Sequence, residues 1–79
     1  MKTEQCGSVE EAVSKAKAWG SKEFARVYGE SRAWKENKGE KAWFIEGTPP
    51  KFAVVVSKNV VIARGMACCA GLEKRFEVC

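Results

Sequence analysis

Hydrophobic residues are concentrated in the middle of this chain, between residues 41 and 64, in short runs separated by turn-forming residues. The runs are rich in valine, isoleucine, phenylalanine and tryptophan, which fit the pleated, partly buried surface of a sheet. Gly47, Pro49, Pro50 and the polar triplet 57–59 interrupt them, so the segment cannot form one membrane-spanning helix. The pattern predicts strands at 41–46, 52–56 and 60–64, with a loop at 47–50.

An amphipathic helix is predicted near the N-terminus, over residues 9–19. Ser8 is a typical N-cap residue, and Glu11 follows three positions later, which is the spacing of a capping box. Small apolar side chains recur at helical spacing along one face, at Val9, Ala12, Val13 and Ala16. Gly20 is a typical residue at the end of a helix. Such a helix presents a narrow apolar stripe, which allows it to lie close to a sheet.

Two further strands are predicted from the alternation of side chains. The first covers residues 23–36, and a hairpin turn at 37–39 joins it to the strand at 41–46. The second covers residues 72–79, where apolar and charged positions alternate. For residues 65–71 the sequence leaves two alternatives open, a loop and a short helical turn.

These elements predict an α+β fold, with one N-terminal helix packed on an antiparallel meander of four to five strands. A chain of 79 residues has the size of one domain, which we assign to residues 1–79. The core of such a small domain leaves a narrow margin of stability, and oligomerisation often adds to it.

Charge and cysteine content change the range of functions to consider. The net charge of +4 is a milder basic excess than a dedicated nucleic-acid binder usually shows. No apolar signal segment opens the chain and no apolar run reaches a membrane span, so we expect a cytoplasmic protein without membrane contact. The chain has no histidine, and no C-x-x-C pair occurs among Cys6, Cys68, Cys69 and Cys79. We therefore expect reduced thiols, no metal and no cofactor.

No motif for catalysis or phosphate binding is present. The glycines follow neither the phosphate-loop spacing nor the dinucleotide-binding spacing. Without histidine, a serine or cysteine nucleophile lacks its most common base. We expect the protein not to be an enzyme.

The sharpest candidate site lies on the predicted strand 23–36. Alternation would place three aromatic rings and two arginines on one face of that strand: Phe24, Arg26, Tyr28, Arg32 and Trp34. Three interpretations are open: the core face with arginine stems at its edges, a surface that binds another protein or a second copy of the chain, and a stacking platform for single-stranded nucleic acid or RNA.

One helix covers only one face of a sheet, yet the central strands are apolar towards both faces. We therefore expect part of the aromatic set to lie outside the core and to bind a partner, with Tyr28 and Trp34 foremost. The expected function is that of a small non-enzymatic binding module that acts through protein–protein surface complementarity, with another protein or as a homodimer. Binding of single-stranded nucleic acid or RNA through the aromatic and arginine strand face is the alternative.

In size and architecture the expected fold resembles many small proteins of phages and mobile elements. Some of those proteins block host enzymes or CRISPR complexes by occupying a surface. The resemblance implies an inhibitor, and it assigns a role to no particular residue.

Overall fold

The computed structural model describes residues 2–37, 39, 41–45, 52–67 and 70–78. One helix packs on a mostly antiparallel sheet of six strands, so the predicted α+β class is confirmed and the strand number is higher than predicted. In chain order the elements are β1 (Lys2–Cys6), α1 (Val9–Tyr28), β2 (Trp34–Asn37), β3 (Ala42–Ile45), β4 (Ala53–Ser57), β5 (Val60–Ala67) and β6 (Ala70–Val78).

The strands lie in the order β1-β6-β5-β4-β3-β2. The last five strands form the predicted antiparallel meander, whereas β1 pairs in parallel with β6 at one edge. The crossover from β1 to the opposite edge strand β2 runs through α1. Strand β1 was not predicted, because its sequence Lys-Thr-Glu-Gln-Cys is polar except for the buried Cys6.

The predicted start of α1 is confirmed, and its predicted end is wrong. The Ser8 hydroxyl accepts a hydrogen bond of 3.1 Å from the backbone N–H of Glu11. The helix then continues to Tyr28, where Gly29 caps it in the left-handed conformation with φ of 74°. The N–H of Gly29 donates to the carbonyl of Ala25 over 2.7 Å, which satisfies one of the last carbonyls of the helix.

Gly20 has a packing role instead of ending the helix. It is buried, and a Cβ atom built on it would lie 2.8 Å from the ring of Trp34. The indole nitrogen of Trp34 donates to the Ser21 hydroxyl over 2.9 Å, which holds the ring against this part of the helix. A glycine in mid-helix therefore allows the edge strand β2 to approach α1 closely.

The predicted strand at 23–36 is wrong over most of its length. Residues up to Tyr28 belong to α1, and only Trp34–Asn37 forms a strand. The next turn agrees better with prediction: Gly39 takes the left-handed conformation with φ of 86°, and Asn37 pairs with Ala42 across the hairpin.

The remaining predicted strands are confirmed with shifted ends. Strands β5 and β6 are longer than expected and form one hairpin, so the described residues at 65–67 and 70–71 are strand, and both alternatives, a loop and a helical turn, are wrong for them. The predicted loop at 47–50 and the side chains of Cys68, Cys69 and Cys79 lie outside the described residues.

The core lies between α1 and one face of the sheet. It consists of two clusters of buried side chains, which are Cys6, Ala12, Ala16, Val54, Val61, Ala63 and Phe76 in the first and Phe24, Ile45 and Phe52 in the second. Ala12 and Ala16 are fully buried, which confirms that the small-residue stripe brings the helix close to the sheet.

An ion-pair network ties the unpredicted strand β1 to its neighbours. The Glu4 carboxylate accepts hydrogen bonds of 3.0 Å from Lys15 of α1 and of 3.0 Å from Lys74 of β6. The hydrogen bond from Lys15, followed by that from Lys74, lowers the pKa of Glu4 from its ordinary value of 4.5.

We expect this network to make stability depend on pH in the acid range. Because the folded-state pKa of Glu4 lies below the unfolded value, the stabilisation is complete above about pH 4.5 and is lost as the pH falls through the folded-state pKa. The thermal midpoint of Glu4→Gln should therefore fall less than that of the wild-type chain as the pH is lowered below about 4.5. An equal fall of the midpoint in the two proteins would contradict this role for Glu4.

Candidate functional site

Three of the five residues predicted to bind a partner meet at the C-terminal end of α1, where Phe24 is buried in the core and Tyr28 and Trp34 are partly buried against it. The rings of Phe24 and Tyr28 lie 4.6 Å apart, and Phe24 lies 5.4 Å from Phe52 in an edge-on contact. Trp34 packs against the same cluster. Phe24 is only 4% exposed, so its ring has no surface to offer to a partner.

The two arginines of the predicted site have different surroundings. Arg32 is placed over the Phe24 ring, with its guanidinium carbon 6.0 Å from the ring centre. Arg26 is exposed on α1 and pairs with Glu23, with 2.6 Å between its Nη2 atom and the carboxylate, and this pairing raises the pKa of Arg26. A strand face carrying all five side chains therefore does not exist. A contact role for the partly exposed members remains a prediction.

A different surface of the sheet is apolar and is not covered by α1, as expected for strands that are apolar towards both faces. Successive side chains of a strand point to opposite faces, so the neighbours of the buried core residues point away from α1. We call this side of the sheet the helix-free face. Its central positions on β3, β4 and β5 are all apolar: Phe44, Ala53, Val55, Val60 and Ile62, together with Ala42, whose small side chain is 8% exposed. Among the described residues, Val55 is the large hydrophobic side chain that is exposed to solvent, with 43% of its surface accessible.

The pairing register arranges this face in rows across the sheet. The middle row contains Asn37, Ala42, Val55, Ile62, Arg75 and Thr3. One flanking row contains Lys35, Phe44, Ala53, Arg64 and Glu73, and the other contains Ser57, Val60, Glu77 and Gln5. Each row is apolar at its centre and polar towards the edges of the sheet.

The polar margin on β5, β6 and β1 is largely paired within the chain. Arg64 lies 3.4 Å from the Glu73 carboxylate, and the Gln5 amide donates to Glu77 over 3.0 Å. Arg75 approaches Glu77 at 3.7 Å. Its buried Nε atom, however, has no hydrogen-bond partner among the described residues. A buried donor without an acceptor is costly, so Arg75 is a position where polar groups are incompletely satisfied within this chain.

A groove of about 570 Å³ lies on the other side of the sheet, between α1 and strands β2 to β4. Its apolar walls are Val9, Val13, Trp43 and Val56, and its charged margin is Glu10, Lys17, Glu36 and Lys41. Lys17 lies over the Trp43 ring at 4.4 Å from the ring centre, so the chain's own lysine already occupies this aromatic face.

Chemically reactive groups do not converge at either surface. No cluster of three or more metal-ligating side chains occurs in the part of the chain that the structure describes. Within those residues, no helix combines the length and the apolar character needed to cross a membrane.

Comparisons with protein-family models, with curated proteins and with solved structures found no match. Function therefore has to be inferred from the geometry of this chain.

Proposed function

We propose that this protein is a small non-enzymatic binding module that acts through protein–protein surface complementarity, with the helix-free face as its contact surface. The observation that carries the proposal is the contiguous apolar centre of that face, with Val55 at 43% exposure in the middle row. An apolar centre within a polar margin is the usual anatomy of a protein interface. Contiguous apolar surface of this kind usually marks an interaction site.

The shape of the molecule supports the same conclusion. The Cα atoms extend over 33 × 27 × 17 Å, so the protein is a thin slab with a broad sheet face. An interface of standard size buries about 800 Å² on each partner, which is comparable with the area of such a face. Covering Val55 and Ile62 completely would contribute about 1.5–3 kcal/mol per side chain at most, less what each already buries.

The charges of the helix-free face favour a protein over a nucleic acid. Arg64 and Arg75 stand beside Glu73 and Glu77, and Lys35 lies at the opposite edge, so the face carries both basic and acidic groups. A phosphate backbone is bound by concentrated positive charge, and its affinity falls steeply with salt. An inhibitor would use the same face by covering part of the surface of its target.

Site-specific photo-crosslinking in the native cell tests the proposal. A photoreactive residue at Val55 should form protein adducts, whereas the same residue at Ala18, which is exposed on α1, should not. Because apolar burial resists screening, the Val55 adducts should still form when a cell lysate is irradiated at about 0.5 M salt, where the Debye length is only a few ångströms. The further substitution Ile62→Lys should abolish them.

Two outcomes would contradict the proposal. Equal adducts at Val55 and Ala18 would mean that the helix-free face has no special role. Adducts that are sensitive to nuclease and that fail to form when irradiation is carried out at high salt would support the nucleic-acid alternative instead.

A further inference from the structure

We propose that the partner of the helix-free face is a second copy of this chain, in a two-fold dimer whose axis lies in the interface parallel to β4. The inference rests on the proposed function, because it names the occupant of the same face. In a two-fold interface every contact between unlike residues occurs twice, so the face must complement itself. The register of the sheet shows which residues would meet.

An axis along β4 places β4 of one copy over β4 of the other. It also places β5 over the partner's β3 and β6 over the partner's β2. At the centre, Val55 meets the partner's Val55, and the large side chain of Ile62 lies over the small one of the partner's Ala42. Large side chains opposite small ones interdigitate, as the packed layers of a β-sandwich require.

The polar margins also match in this arrangement. Glu73 lies over the partner's Lys35, which brings opposite charges together. Arg64 lies over the ring of the partner's Phe44, where a guanidinium is attracted to the aromatic face. Arg75 lies over the partner's Asn37, whose amide oxygen can accept a hydrogen bond from the exposed part of the guanidinium.

Other placements of the axis lose this complementarity. An axis across the strands, along the middle row, would set Arg75 on the partner's Arg75 and Glu73 on the partner's Glu77. An axis between β4 and β5 would place the charged Glu73 on the apolar Phe44 of the partner. Charge matching therefore favours the axis along β4.

The area of the face is also sufficient for a dimer. The broad dimensions of the molecule, 33 × 27 Å, are those of an interface that buries about 800 Å² per partner. Two sheets stacked about 10 Å apart would give four layers, with a helix on each outer side. Dimerisation would in this way let a 79-residue chain bury more apolar surface than its own core can.

A pair of charge-reversal variants tests the dimer. Glu73→Lys would set lysine against the partner's Lys35, and Lys35→Glu would set glutamate against the partner's Glu73. Each variant alone should dimerise at least about tenfold more weakly than the wild-type chain in sedimentation equilibrium, a change of about 1.4 kcal/mol. In an equimolar mixture both contacts become attractive, so the mixed dimer should form with near wild-type affinity.

The control variant is Glu10→Lys, which makes the same change on the exposed part of α1 and should leave the dimer intact. Rescue in the mixture separates a contact between chains from damage within one chain, because Glu73→Lys also removes the ion pair with Arg64.

A wild-type chain that stays monomeric at the highest soluble concentration overturns the dimer, and so does a mixture without rescue. If the chain is monomeric but the Val55 position still crosslinks to a different protein, only the dimer fails and the proposed function stands. If neither association is found, both fail.

Discussion

Gly65→Ala is expected to destabilise the protein by about 3 kcal/mol, at the upper end of the usual cost of overfilling a core. A Cβ atom at this position would lie 2.2 Å from the ring of Phe52. Phe52 is fully buried and packs edge-on against Phe24 at 5.4 Å, so its ring has little room to move. The change should appear as a lower midpoint in urea denaturation.

Gly71→Ala provides a matched control in the same hairpin. Gly71 lies on β6 and pairs with Met66, the residue that follows Gly65 on β5. A Cβ atom on Gly71 would meet nothing within 4 Å. This substitution should be neutral or stabilise by less than about 1 kcal/mol, because alanine restricts the unfolded chain. Equal midpoints for the two variants would show that Phe52 does not pack on Gly65.

Helix α1 shows both the strength and the limit of prediction from sequence. Its start was predicted correctly because the cap is local: Ser8 and Glu11 are three residues apart and interact directly. Its end was predicted wrongly because Gly20 looks like a stop signal. What requires glycine there is Trp34, which lies 14 positions later in the chain and reaches Gly20 only in the folded protein.

The missed half of α1 also explains why the predicted strand face does not exist. Phe24 and Tyr28 are separated by four positions, a spacing that fits alternation along a strand as well as one face of a helix. A short segment does not distinguish the two periods. Tertiary packing decided the outcome, because both rings fill space beside Phe52.

Strand β1 was missed for a different reason. An edge strand paired on one side needs few apolar residues, and β1 is held by backbone pairing to β6 and by the contacts of Glu4. Polar edge strands also protect a sheet from pairing with other chains. Such a strand carries almost no hydrophobic signal in its sequence.

The existence of an apolar face that α1 does not cover was predictable, although the residues at its centre on β4 and β5 were not. The sequence was sufficient to predict that such a face exists, because one helix covers one face of a sheet whereas the central strands are apolar on both. Locating the face required the register, which places Phe44, Val55 and Ile62 on the side away from α1.

Phe76→Ala is expected to cost about 3–5 kcal/mol, the usual loss for truncating a core aromatic. Phe76 is 1% exposed and belongs to the larger core cluster. It pairs with Glu4 of β1 and with Val61 of β5, so its ring fills the space where three strands meet α1. A domain of this size has a total stability of about 4–12 kcal/mol, so the variant should be partly unfolded or close to it.

Phe44→Ala makes the same change on the helix-free face and separates the core from the contact surface. Phe44 is half-buried and points away from α1, so its loss should lower the denaturation midpoint of the monomer far less than the loss of Phe76. It should instead weaken the dimer, because its ring faces the partner's Arg64 in the proposed arrangement. Sedimentation at low and high protein concentration, beside urea denaturation of each variant, measures the two effects separately. If Phe44→Ala lowered the midpoint of the monomer as much as Phe76→Ala, the helix-free face would be part of the folded core, and both proposals would lose their contact surface.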